Sequence, residues 1–177
     1  MNNLLLPLIS LALFAYLIFF LSQFYNIVFR GYAPLVSTDR ETIRRIIGEV
    51  RLPAAPTVYE LGCGRAKFLR QAEKAWPAAR LIGVENLSSL YLFNKIKLGG
   101  QGSRIELRRQ DLFAVDLQTA DLIYCYLNPT TMAKLGEKFR RECRPGTQIV
   151  SRSFPIHQLM PEKVMRIKDK EVYFYRI

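Results

Sequence analysis

Four short apolar runs in the middle of this chain each lead to a carboxylate or carboxamide: Glu60, Glu85, Asp111 and Asn128. The runs read as strands over residues 57–61, 80–85, 105–108 and 120–127. Helical spacing fills the gaps. Phe68, Leu69, Ala72, Ala75 and Trp76 mark an inward face stopped by Pro77, and Leu90, Phe93 and Ile96 mark a second, closed by Gly99-Gly100. Asn128 predicts a helix cap with Pro129 at the first position, and Met132, Leu135 and Phe139 line that helix. Residues 147–151 form a fifth strand, and 163–168 with 171–177 alternate like two paired strands about Asp169. Such alternation predicts an α/β fold: a doubly wound, Rossmann-like sheet, mainly parallel, with a C-terminal antiparallel hairpin. A ligand belongs at the carboxyl ends of its strands, where the four polar residues fall.

The N-terminus is of another kind. Residues 4–21 are apolar apart from Ser10 and Pro7, and no charge precedes Arg30. About 20 such residues cross a bilayer. A signal peptide wants a positive start, a shorter core and a small-residue cleavage site, and none is evident. Residues 1–29 are therefore expected to be a retained transmembrane anchor, with signal peptide and core helix as the alternatives. Tyr16, Phe24 and Tyr25 are candidates for its interfaces. Arg30, Arg40, Arg44 and Arg45 follow the anchor, which predicts a C-terminal domain on the cytoplasmic side. Residues 30–56 are read as a linker and amphipathic helix. That helix starts at a capping box, Thr38-Asp39-Arg40-Glu41, and buries Ile43, Ile46, Ile47 and Val50. Residues 57–177 form the one remaining domain.

With 26 Lys and Arg against 15 Asp and Glu, the net charge is +11, all of it beyond residue 29. Such a surface suits anionic lipid headgroups or nucleic acid. A tethered chain favours headgroups, and without an aromatic-basic recognition motif nucleic acid is not expected. Three cysteines exclude a disulfide framework and fit a reducing compartment. Cys63 and Cys125 read as small fillers. A single histidine, His157, excludes most zinc sites and is read as a loop residue, so no metal is expected.

Gly62 and Gly64 let the backbone approach a ligand, and Glu85, 21 residues beyond Gly64, can accept both hydroxyls of a ribose. Up to this point a dinucleotide and S-adenosyl-L-methionine fit equally. Glu60 before the glycines would repel a pyrophosphate yet can hold an amino acid end. Position 67 is Lys67, where a dinucleotide fingerprint has its third glycine. Asp111 can accept from an adenine amine. The three together favour S-adenosyl-L-methionine.

The segment Val58-Tyr59-Glu60-Leu61-Gly62-Cys63-Gly64 resembles the first motif of class I, seven-strand methyltransferases. Tyr32-Ala33-Pro34-Leu35-Val36-Ser37-Thr38, Tyr126-Leu127-Asn128-Pro129 and Ser151-Arg152-Ser153-Phe154-Pro155 extend the resemblance to nearly the whole chain. They are similar to the small membrane-anchored branch that includes the mitochondrial lysine methyltransferase of the ATP synthase c-subunit and bacterial relatives. Arg65 and Ala66 depart from the acid and glycine usual there; alanine is expected to be sterically mild. The resemblance implies an S-adenosyl-L-methionine site of Glu60, Gly62, Cys63, Gly64, Glu85, Asn86, Asp111 and Leu112. It implies a catalytic segment of Tyr126, Asn128 and Pro129, with Phe154 and Pro155 walling the acceptor pocket. The expected activity is N-methylation of lysine side chains of a membrane protein. A lipid headgroup or lipophilic small molecule as acceptor, or a non-catalytic cofactor-binding scaffold, are the alternatives.

Overall fold

Helix α1, Leu5–Arg30, has 26 residues and measures about 39 Å at the α-helical rise. Its segment Leu5–Ser22 is long and apolar enough to cross a membrane. The two serines in it keep their hydroxyls satisfied without water: Ser10 donates to the Leu6 carbonyl at 2.9 Å and Ser22 to the Phe19 carbonyl at 2.8 Å. The computed structural model describes residues 5–30 and 37–177. The residues Tyr32 to Val36 of the motif before the domain, and the side chain of Phe24, lie outside the described residues.

The second unit, Ser37–Ile177, begins with α2 (Arg40–Glu49) and continues β1 (Thr57–Leu61), α3 (Lys67–Ala75), β2 (Arg80–Val84), α4 (Ser88–Gly99), β3 (Glu106–Arg108), β4 (Leu122–Cys125), α5 (Pro129–Glu142), β5 (Gln148–Arg152), β6 (Lys163–Ile167) and β7 (Lys170–Arg176). One seven-stranded sheet runs β3-β2-β1-β4-β5-β7-β6. β7 runs opposite to the other six strands, inserted between β5 and β6. This is the expected Rossmann-like methyltransferase sheet with its terminal hairpin. Strand alternation divides the core in two. Val58, Leu81, Leu122 and Val150 face one layer with α2, α3 and Leu98 of α4; Tyr59, Ile82, Ile123 and Ile149 face α5 on the other.

Several local expectations are corrected. β3 and β4 are shorter than the apolar runs, so Asp111 lies three residues past its strand and Tyr126 to Asn128 leave the sheet. Ala75 is exposed at the end of α3. On α4 the inward residues are Asn94 and Leu98, while Phe93 and Ile96 point outward, 47% and 70% exposed. Periodicity located that helix but not which side of it meets the sheet.

The cap of α2 is Asp39, whose Oδ1 accepts the Thr42 N–H at 3.1 Å; Thr38 is instead buried, sharing a 2.6 Å hydrogen bond with the Tyr124 hydroxyl. Asp39 also pairs with Lys168 in the β6–β7 turn at 2.9 Å and with the buried Arg152 of β5 at 3.6 Å. The Lys168 hydrogen bond, against an opposing effect of burial and with help from Thr42, holds the Asp39 carboxyl well below the usual range. Its contribution is present above about pH 4 and is lost as pH falls. Asp39→Ala removes the cap and an acid partner of Arg152, with an expected cost of about 2–3 kcal/mol in denaturant unfolding. The variant should also lose part of the wild-type decline in stability below pH 4.

Candidate active site

β1 carries the first functional group. Glu60, buried near the end of the strand, accepts the Leu69 N–H at 3.2 Å and so holds the first turn of α3. Burial pushes its carboxyl up to about 8; the amides of Leu69 and Phe68 pull downward, and the nearby Glu85 carboxylate pushes upward.

The chain then turns on Gly62 and Gly64, with φ of +67° and +51°. A Cβ on Gly62 would stand 2.6 Å from Leu127 Cδ2, so this turn is pressed against the segment after β4. Gly62→Ala is expected to cost at least about 1–2 kcal/mol in backbone strain alone, with more from displaced Leu127, read as a lowered denaturant midpoint. Ala66 also lies in the left-handed region, at φ 50°, as the cap of α3 with no side-chain hydrogen bond. Alanine here is therefore strained by about 1–2 kcal/mol rather than mild. Arg65 at the tip of the turn is exposed.

Glu85 follows β2 directly. Its Oε2 accepts the Gly64 N–H at 2.9 Å and its Oε1 the Leu87 N–H at 3.0 Å. Each oxygen retains acceptor capacity for a ligand hydroxyl. Asn94, buried on α4, donates to the Gly64 carbonyl, so both polar groups of Gly64 are fixed by side chains. Sequence reasoning missed Asn94; its only signal is a polar residue on the helix face four residues before Leu98. Asn86 is exposed beside Glu85, while Leu112 is half-buried against the α5-side core. Asp111 is exposed, and its Oδ1 accepts the Phe113 N–H at 3.0 Å within its own loop.

Cys63 and Cys125 are buried, and desolvation raises both thiols. They are held protonated and fill space. His157 is exposed in the loop after β5.

A cleft of about 420 Å³ is lined by Tyr126, Ser153, Phe154, Arg166, Lys170 and the acidic pair Asp169 and Glu171. Lys170 Nζ donates to the Tyr126 hydroxyl at 2.6 Å. The Arg152 guanidinium lies 4.9 Å from the centre of the Tyr126 ring. Burial raises the Tyr126 phenol, but the hydrogen bond from Lys170 and the charges of Lys170 and Arg152 bring it below its ordinary value. Lys170 was not legible as a site residue, because a strand 44 positions away in sequence delivers it. Asn128 caps α5, its Oδ1 accepting the Thr131 N–H at 2.8 Å, with Pro129 in the first turn. Its backbone carbonyl accepts from Met132.

Among the described residues no cation pairs with Glu60 or Glu85. Two buried acids beneath a bare glycine backbone therefore fit a ligand that brings its own positive charge. S-adenosyl-L-methionine, with an ammonium and a sulfonium, has that charge, and pyrophosphate has the wrong sign.

The fold is that of a class I S-adenosyl-L-methionine-dependent methyltransferase. Residues 60–163 match the ANTKMT methyltransferase domain, and the chain belongs to that family. It is 27% identical over 152 residues to a protein-lysine N-methyltransferase of Saccharolobus islandicus (strain REY15A), across 82% of this chain and 94% of that one. An RNA methyltransferase from Salinibacter ruber, solved with S-adenosyl-L-homocysteine, superimposes with a TM-score of 0.75 at 25% identity, over 80% of this chain and 94% of that one. A precorrin-6y C5,15-methyltransferase from Geobacter metallireducens GS-15 shares the fold, with a TM-score of 0.67 at 15% identity over 82% and 92% of the two chains.

Proposed function

We propose that this protein is a membrane-anchored methyltransferase of the lysine-directed branch, acting on lysine side chains of a protein in or near the same bilayer. Residues 1–29 anchor it, 30–56 connect, and 57–177 catalyse on the cytoplasmic side. The observation that carries the reading is Glu60 and Glu85, buried at the glycine turn with no paired cation among the described residues. The lysine-directed relative, similar over nearly its whole length, supports the choice of acceptor. Anchoring raises the effective concentration of partners in the same membrane.

The cofactor, when bound, supplies an activated methyl group. The chain does the rest. Glu60 receives the ammonium of the amino acid end, the backbone of Gly62, Cys63 and Gly64 lies along it, Glu85 and Asn86 take the ribose, and Asp111 and Leu112 flank the adenine. The acidic pair Asp169 and Glu171 draws a lysine ammonium into the cleft. The phenolate form of Tyr126 takes one proton from that ammonium and becomes the neutral phenol, leaving the amine lone pair free. Asn128 orients that amine, and Pro129 fixes the segment that presents it.

The test is transfer of labelled methyl groups from S-adenosyl-L-methionine to membranes of the source organism. Label recovered as methyllysine in the protein fraction is the expected result. Label confined to the lipid extract would replace the acceptor, and no label with folded, cofactor-binding protein would make it a scaffold. Glu85→Ala and Asp111→Ala should each weaken cofactor binding about tenfold or more. An unaltered affinity in either would remove that residue from the site.

A further inference from the structure

Helix α4 is built inside out. Its inward face carries the polar Asn94 with Leu98, whereas Leu92, Phe93 and Ile96 stand in water, 56%, 47% and 70% exposed. Ile96 joins Leu92 and Phe93 on one helix surface, four residues from the first and three from the second. A contiguous apolar patch of this kind on a domain surface marks an interaction site. Its surroundings define the partner. Helix α4 carries no acid, and Lys95 and Lys97 flank the patch, while Arg104 beyond its end is paired with Glu73. Lys97 reaches along Phe93, its ammonium 5.5 Å from the ring centre. Long cationic side chains beside a buried apolar face are what an interfacial helix presents to lipid, the apolar groups entering the acyl boundary and the ammonium groups meeting phosphates.

We propose that the outer face of α4 docks on an anionic lipid surface, through Leu92, Phe93 and Ile96, with Lys95 and Lys97 on the headgroups. The charge sign argues for lipid over a second copy of the chain, since the lysines of two such faces would meet each other. The inference rests on the anchored reading only for the nearness of a bilayer.

The experiment uses the full chain reconstituted in vesicles of phosphatidylcholine alone or with phosphatidylglycerol. A nitroxide is attached at Ile96→Cys, an exposed position; the three native thiols are buried. Vesicle flotation reads the anchor. Collision of the nitroxide with a water-soluble nickel chelate reads docking. The expected result is flotation with both lipids, and chelate collisions at position 96 reduced about threefold or more only with phosphatidylglycerol. Lys95→Glu with Lys97→Glu should abolish that reduction, and a nitroxide at Glu137→Cys on α5 should remain accessible throughout. Equal accessibility in both lipids, with flotation intact, overturns the docking and leaves the anchor standing. Failure to float with either lipid overturns both. Spin–spin broadening with protection in both lipids would assign the face to self-association instead.

Discussion

Glu60→Gln is expected to weaken S-adenosyl-L-methionine binding by about 10–100-fold, the worth of a hydrogen bond to a charged group, while making the unliganded protein more stable at pH 8–9. Both effects have one cause. Glu60 is buried without a cation among the described residues, and its carboxyl is pushed up to about 8. The folded protein thus holds a proton that the unfolded chain releases near 4.5. That stabilising contribution is complete below 4.5 and is lost as pH rises through about 8. Glutamine stays neutral and keeps an oxygen for the Leu69 N–H, so it escapes the loss. A bound ammonium needs the carboxylate, so cofactor affinity in the wild type should climb from about pH 6.5 toward 8, where the ligand's own α-ammonium begins to lose its proton. In the variant this slope should vanish. Titration calorimetry in two buffers of different ionisation enthalpy measures the proton released. Identical affinity and slope in both proteins would show that Glu60 does not meet the ammonium.

Tyr126→Phe should lower kcat by about 10²–10⁴-fold, the usual contribution of a positioned proton acceptor, and leave cofactor affinity within about twofold. The phenol is set for this by the 2.6 Å bond from Lys170 and the Arg152 guanidinium against its ring. Since these cations outweigh burial and lower its pKa, the phenolate fraction and the rate should rise together with pH to a plateau. Lys170→Met removes the nearer cation and should move that limb to higher pH with the plateau retained. A purely structural role for Lys170 would lower the plateau and leave the limb in place. Retention of wild-type kcat by Tyr126→Phe would transfer proton removal to solvent.

The strands were legible because their apolar runs are short and end on polar residues; β1, with Glu60 before a glycine turn, is the clearest case. The cap of α5 was legible for a similar reason, as Asn128-Pro129 combines a side-chain acceptor with a ring that lacks an N–H. Thr38 and Asp39 are both good caps, and only the packing of Thr38 against Tyr124 decides between them. The orientation of α4 could not be read from its apolar spacing, since the same spacing serves a face turned to the core or to a membrane. The Tyr126 environment was hidden for another reason. Arg152 and Lys170 arrive from β5 and β7, and no local pattern announces which distant side chain a strand will bring.

Asn94 ties the Gly64 carbonyl to α4, so the helix that presents Phe93 and Ile96 outward also fixes the loop proposed to hold the cofactor. A site and a surface carried on one rigid segment cannot be energetically independent if either moves it. By thermodynamic reciprocity, any factor by which lipid contact tightens cofactor binding is the factor by which cofactor tightens lipid contact. Occupancy of the site and residence of the domain at the bilayer would then rise and fall as one coupled quantity.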